Sequence, residues 1–301
     1  MIPNKILIPL DGSDTAAAII PFVLEIATQT SAKLTLVTSV QQVGIWDATL
    51  TLDVLEREEE LAKQYLTEQA GQLRAAGTSV DTRITRGEAA EGVLSVADSE
   101  DVDLVAISTH GRSGVSRWLF GSVASRILQS CTTPVLFLHP KTGEDKGAPG
   151  PVIKKILVPL DGSDLAISIV PEIEEFARSM GASLVFFNAV SPITTYPGFE
   201  SAQAVSIGKV IEELQEQAKV LLTRAVEHAV QNGVPSTMAV TLGTAVDSVL
   251  HAADDVDADL IAVATHGRGG FGRAILGSVA DGVVRRSTDR PVLVIRPTAQ
   301  P

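Results

Sequence analysis

Residues 108–122 read STHGRSGVSRWLFGS, and residues 264–278 read ATHGRGGFGRAILGS. Both copies are glycine-rich loops that close on Gly-Ser at the start of a helical pattern, at Gly121-Ser122 and again at Gly277-Ser278. A loop of this kind is built to cradle an anion. Glycines let backbone N–H groups come close, and a helix N-terminus adds unpaired donors and a favourable dipole. Working outward, KILIPLDGSD at 5–14 returns as KILVPLDGSD at 155–164, and CTTPVLFL at 131–138 is answered by STDRPVLVI at 287–295. The chain therefore reads as two homologous modules, 1–140 and 153–301, each of ordinary domain size. Residues 141–152 between them are rich in Pro, Gly and charge, as a solvated linker is.

Within the first module, apolar runs predict strands at 6–9, 34–40, 79–85, 104–108 and 135–138. Helical spacing predicts helices over 14–30, 50–76, 88–97 and 122–130, with Pro21 kinking the first or shifting its start. The second module repeats this order, with its long helix over 206–232. Strands that alternate with helices make an α/β fold, and continuous Ile/Leu/Val runs mean that both sheet faces are covered. The expected architecture is two repeated, doubly wound, five-stranded parallel-sheet domains of Rossmann-like character. By analogy with open sheets of this kind the strand order is 3-2-1-4-5, which sets the first and fourth strands side by side where ligands bind. The first strand then delivers Asp11, or Asp161, to the crevice that receives the glycine loop. A carboxylate repels phosphate but suits a ribose hydroxyl, so the pair points to a nucleotide rather than free phosphate.

Composition narrows the partners. The chain has 301 residues, 45% hydrophobic and 20% charged, with a formal net charge of −12. Both halves are acidic, which argues against nucleic acid and anionic membrane as partners. No apolar run approaches the length of a spanning helix, and the N-terminus shows no signal-peptide pattern. One cysteine, Cys131, fits a reducing cytoplasm and reads as a small apolar residue at a helix end. His110 and His266 lack ligand-spaced partners and read as loop-fixing residues rather than metal ligands. Ser122 and Ser278 read as helix N-caps whose hydroxyls also face a phosphate. Gly87 and Gly243 serve turns between strand and helix.

These motifs resemble the universal stress protein family in its tandem form, over both modules from first strand to fifth. The family's ATP-binding members carry Gly-x2-Gly-x9-Gly-Ser/Thr after the fourth strand. Gly111 and Gly121-Ser122, and again Gly267 and Gly277-Ser278, match its last two glycines. The first glycine of that motif is Ser108 in one module and Ala264 in the other. The resemblance implies a nucleotide-dependent stress-response regulator that binds ATP, with Mg²⁺ on the phosphates. In the first module it implies contacts at Pro9, Asp11, Ser39, Gly111, Arg112, Gly121, Ser122 and Val123. In the second they fall at Pro159, Asp161, Ala189, Gly267, Arg268, Gly277, Ser278 and Val279. The adenine would lie near the end of the second strand, at Ser39–Val40 and Ala189–Val190. The resemblance also implies that fifth strands pair, making an internal pseudo-dimer, with homodimers of the chain beyond that. No general base is placed, so turnover would be slow intrinsic hydrolysis at most. Two alternatives stay open: an interaction module without nucleotide, and an ATP-pyrophosphatase-type enzyme. The latter needs a Ser-Gly-Gly-x-Asp-Ser loop where this chain has Pro9-Leu-Asp-Gly-Ser-Asp14.

Overall fold

The computed structural model describes residues 1–41, 48–109, 120–140, 151–192, 201–265, 277–288 and 290–296, with the backbone alone at 48–53 and 201–206. In the first module β1 (Lys5–Pro9) leads through α1 (Asp14–Ala17) and α2 (Ile20–Thr30) to β2 (Lys33–Val40). Next come α3 (Ala48–Ala75), β3 (Val80–Arg86), α4 (Ala89–Ser99), β4 (Leu104–Ser108), α5 (Ser122–Ser130) and β5 (Val135–Leu138). The second module repeats this with β6 (Lys155–Pro159), α6 (Asp164–Ser168), α7 (Val170–Met180), β7 (Ser183–Val190) and α8 (Ser201–Gln231). It ends with β8 (Ser236–Leu242), α9 (Ala245–Asp255), β9 (Leu260–Ala264), α10 (Ser278–Arg286) and β10 (Val292–Ile295).

The helix expected over 14–30 is two helices, because Pro21 sits in the first turn of α2. There its missing N–H removes no helical bond, whereas one turn later it would. Each half of the sheet has the order 3-2-1-4-5, and the halves join into one ten-stranded sheet, β3-β2-β1-β4-β5-β10-β9-β6-β7-β8. All pairings within a module are parallel. The joint is antiparallel: Phe137 faces Val292, Leu136 faces Leu293 and Val135 faces Val294. The fifth strands thus pair within one chain.

Successive strand residues point to opposite faces, so the sheet splits its apolar residues between two cores. Ile6, Ile8, Leu136, Leu293 and Ile156 pack on the side of α2 and α7, and Leu7, Phe137, Val292 and Leu157 on the other. Each core runs unbroken across the β5–β10 joint, so the modules share their interior. The faces are also tied by side chains: Arg285 of α10 lies over the Phe120 ring of the first module at 4.7 Å, and that ring packs on Phe137.

Cys131 is buried at the end of α5, and burial pushes its thiol pKa up. It therefore stays protonated at neutral pH, where only the thiolate reacts. Iodoacetamide at pH 8 is expected to label the native chain at least about tenfold more slowly than the chain in urea. Equal rates by mass spectrometry would contradict this packing.

Candidate functional site

The C-terminal ends of β1, β2 and β4 meet at one edge of the first module, as do those of β6, β7 and β9 in the second. This is the switch point of the sheet. Pro9 and Pro159 end the first strands, half-buried. The next backbone unit is fixed from two sides. Leu10 N–H donates to Val37 O at 2.8 Å, and Thr38 Oγ1 donates to Leu10 O at 2.7 Å. In the second module Leu160 N–H donates to Phe187 O at 2.8 Å, and Asn188 Nδ2 donates to Leu160 O at 2.6 Å.

Asp11 and Asp161 follow directly and are held by their own turns. Asp11 Oδ1 accepts from Ser13 N at 2.9 Å and from Ser13 Oγ at 2.6 Å, and Ser13 Oγ accepts from Ala16 N at 3.1 Å, capping α1. The same distances recur for Asp161, Ser163 and Ala166. Gly12 (φ 86°) and Gly162 (φ 85°) turn the chain in the left-handed region that a side chain would strain. The motif Asp-Gly-Ser-Asp thus orients a carboxylate at the mouth of the crevice and starts a helix at once. At the second strand, Ser39 Oγ donates to Gly87 O at 2.9 Å, so the hydroxyl braces the turn after β3. Ala189 is half-buried and brings no polar group to the corresponding place.

The other wall is the N-terminus of α5 and of α10. Here the structure corrects the reading of the serines. The N-caps are Gly121 and Gly277, neither with a side-chain cap bond, and Ser122 and Ser278 are exposed at the first helical position. The extended ψ values of 150° and 136° let each glycine's carbonyl start the helical ladder. Ser125 N–H is bonded to Gly121 O at 2.8 Å, and Asp281 N–H to Gly277 O at 3.0 Å. The amides of 122–124 and 278–280 precede those bonds and are the helix donors that face outward. Val123 and Val279 stand half-buried behind them. Gly121 has a packing reason of its own, since a Cβ there would come within 2.9 Å of the Thr109 carbonyl oxygen. A substitution at 121 therefore reports on the backbone whatever binds. Gly111, Arg112, Gly267, Arg268, His110 and His266 lie outside the described residues.

Chemically, the arrangement offers an uncapped helix end for an anion and a fixed carboxylate for hydroxyls. Among the described residues no group of three or more His, Cys, Asp or Glu could hold a metal. A surface pocket of about 240 Å³ opens at the opposite ends of the strands, and four of its charges are paired, Lys33 with Asp81 at 2.6 Å and Arg83 with Glu100 at 2.5 Å. One polar cluster was not legible from the residues: buried Glu174 accepts from His228 Nδ1 and Asn232 Nδ2, both at 2.8 Å, between α7 and α8 and away from the crevice. Among the described residues no helix is long and apolar enough to cross a membrane.

Known proteins bear on this geometry. The family described as Universal stress protein family matches residues 3–139 and 153–296. A universal stress protein of Mycolicibacterium smegmatis is 26% identical over 300 residues, covering 97% of each chain. Universal stress protein Rv2623 of Mycobacterium tuberculosis is 26% identical over 306 residues, 97% of this chain and 96% of that one. A crystal structure of a universal stress protein from Archaeoglobus fulgidus superposes with a TM-score of 0.71 at 19% identity, over 98% of this chain and 99% of that chain.

Proposed function

The chain belongs to the universal stress protein family, and on that premise we propose that it is an adenine-nucleotide-binding regulator rather than a fast enzyme. The ligand is ATP, with Mg²⁺ carried by its phosphates. The observation that supports this reading most is the uncapped start of α5 and α10 beside the turn-locked Asp11 and Asp161. The polyphosphate takes the amides at Ser122–Val123 or Ser278–Val279, with Arg112 or Arg268 as further phosphate contacts. The aspartate takes the ribose hydroxyls, and the adenine rests against the ends of β2 or β7. Binding charge with fixed N–H dipoles needs no acidic metal cage, which suits a cation brought by the nucleotide. Binding would alter the surface offered to a protein partner in the cytoplasm, where the chain acts as a homodimer. The domains in this reading are 1–140 and 153–301, with 141–152 as linker.

Equilibrium dialysis of the purified chain against labelled ATP and Mg²⁺ tests it, together with mass identification of nucleotide released on denaturation. Saturable binding is expected. The paired change Ser122→Asp with Ser278→Asp is expected to weaken it by about a hundredfold or more, because like charges placed together cost several kcal/mol. A wild-type chain that binds no ATP would overturn the proposal and leave the second reading. In that reading the antiparallel β5–β10 joint is the whole function, a pre-assembled pair of modules for protein interaction.

A further inference from the structure

The modules are not equivalent at the crevice, and the difference starts at the last residue of the fourth strand. β4 ends on Ser108, which is 6% exposed, and its Oγ donates to Ala16 O of α1 at 3.3 Å across 92 positions of sequence. That bond straps the end of β4 to α1, the helix that Asp11 and its turn begin. β9 ends on Ala264, which has no hydroxyl and is only half-buried. The crevice of the second module therefore has no such strap.

The next residue continues the contrast. Thr109 donates its N–H to Leu138 O at 2.8 Å, and its carbonyl accepts from Gly121 N at 2.8 Å. Its Oγ1 lies 3.1 Å from His139 Nδ1. Every polar atom at the root of the first loop is thus used, and the two ends of that loop are tied to each other. Thr265 is equally buried, 1% exposed, and donates its N–H to Ile295 O at 3.0 Å. Its Oγ1 has no hydrogen-bond partner among the described residues. The place of His139 is taken by Arg296, whose guanidinium donates to Leu128 O at the end of α5. A buried hydroxyl without a partner is unfavourable, so the second loop root holds unmet bonding that a rearrangement around a ligand can satisfy. The first holds none.

We propose that the chain binds one nucleotide, in the second module, and that the first module's copy is a closed scaffold. This rests on the nucleotide reading above. Position 108/264 is the determinant: a serine there ties the crevice shut, and an alanine leaves it open to the polyphosphate.

Labelled ATP with Mg²⁺ is titrated by equilibrium dialysis into the wild-type chain, Ser108→Ala and Ala264→Ser, with folding checked by circular dichroism. The wild type is expected to bind one equivalent and Ser108→Ala two. Ala264→Ser is expected to lose at least about tenfold in affinity. Two equivalents in the wild type would overturn the asymmetry, as would full affinity in Ala264→Ser. A single equivalent in folded Ser108→Ala would do the same. Should Ser108→Ala fail to fold, the wild-type stoichiometry and Ala264→Ser decide alone. Absence of saturable binding in all three chains would remove the nucleotide reading itself, and the asymmetry with it.

Discussion

Leu136→Asp is expected to abolish the folded state of both modules, not of the first alone. Leu136 is fully buried on β5, directly opposite the fully buried Leu293 of β10. Its side chain joins a core to which α2 and α7 contribute from the two halves. A carboxylate there has no partner, and stripping it of water costs several kcal/mol before any packing is lost. Domains carry only about 5–15 kcal/mol in total. The milder Leu136→Ala is expected to cost about 2–5 kcal/mol. It should do so in a single cooperative transition, seen together by far-UV circular dichroism and by tryptophan fluorescence in urea. The single transition follows from the shared core, because neither module can expose its fifth strand without opening the other's. Two separated transitions, with one unmoved by Leu136→Ala, would mean that the modules are thermodynamically independent. An intact Leu136→Asp chain would mean that the joint contributes little.

Much of this fold is legible in the residues, for reasons that also mark where legibility stops. Buried strands betray themselves because both sheet faces are covered, and KILIP and KILVP leave little other choice. The neighbouring placement of β1 and β4, taken from analogy, is what the sheet has. The pairing of the fifth strands is implied by the family resemblance alone, since a four-residue apolar strand such as VLFL does not say what lies beyond it, and its antiparallel sense is visible only in the structure. Helix starts were less legible. A Gly-Ser pair offers two adjacent caps, and only the backbone angles at Gly121 and Gly277 decide between them. Proline inside an apolar period reads as a kink or as a new beginning, and the bonding of α1 settled it as the latter. At the site, Asp11 and Asp161 are fixed by local turns, so the spacing Asp-x-Ser already encoded their geometry. The strap from Ser108 to Ala16 joins residues far apart in sequence, and no periodicity reports such a bond. Glu174 left one faint trace: the homologous position of the first module is Leu24. A carboxylate in the apolar phase of a helix needs donors from elsewhere.

Those donors supply a second large effect. Glu174 is 2% exposed, and one oxygen accepts from His228 Nδ1 while the other accepts from Asn232 Nδ2. A carboxylate offers acceptor oxygens, and these two side chains are what the fold sets against it. Arg178 Nε pins the same corner by donating to Asn232 O at 3.1 Å. The first module fills the three places with Leu24, Gln72 and Ala76 and needs no such set. Removing both donors, His228→Ala with Asn232→Ala, leaves the carboxylate buried and unpaired, at an expected cost of about 3 kcal/mol in urea unfolding. Adding Glu174→Leu to that pair is expected to recover most of the loss, because an apolar side chain of similar volume is what the first module already uses there. The recovery separates the cause. If the double variant were weakened only by lost packing of His228 and Asn232, the third change would recover nothing. If it were weakened by a stranded charge, removing the charge restores stability although one more native side chain is gone. The triple variant should then resemble the first module at this corner, with an apolar contact where α7 meets α8 in place of a polar clasp.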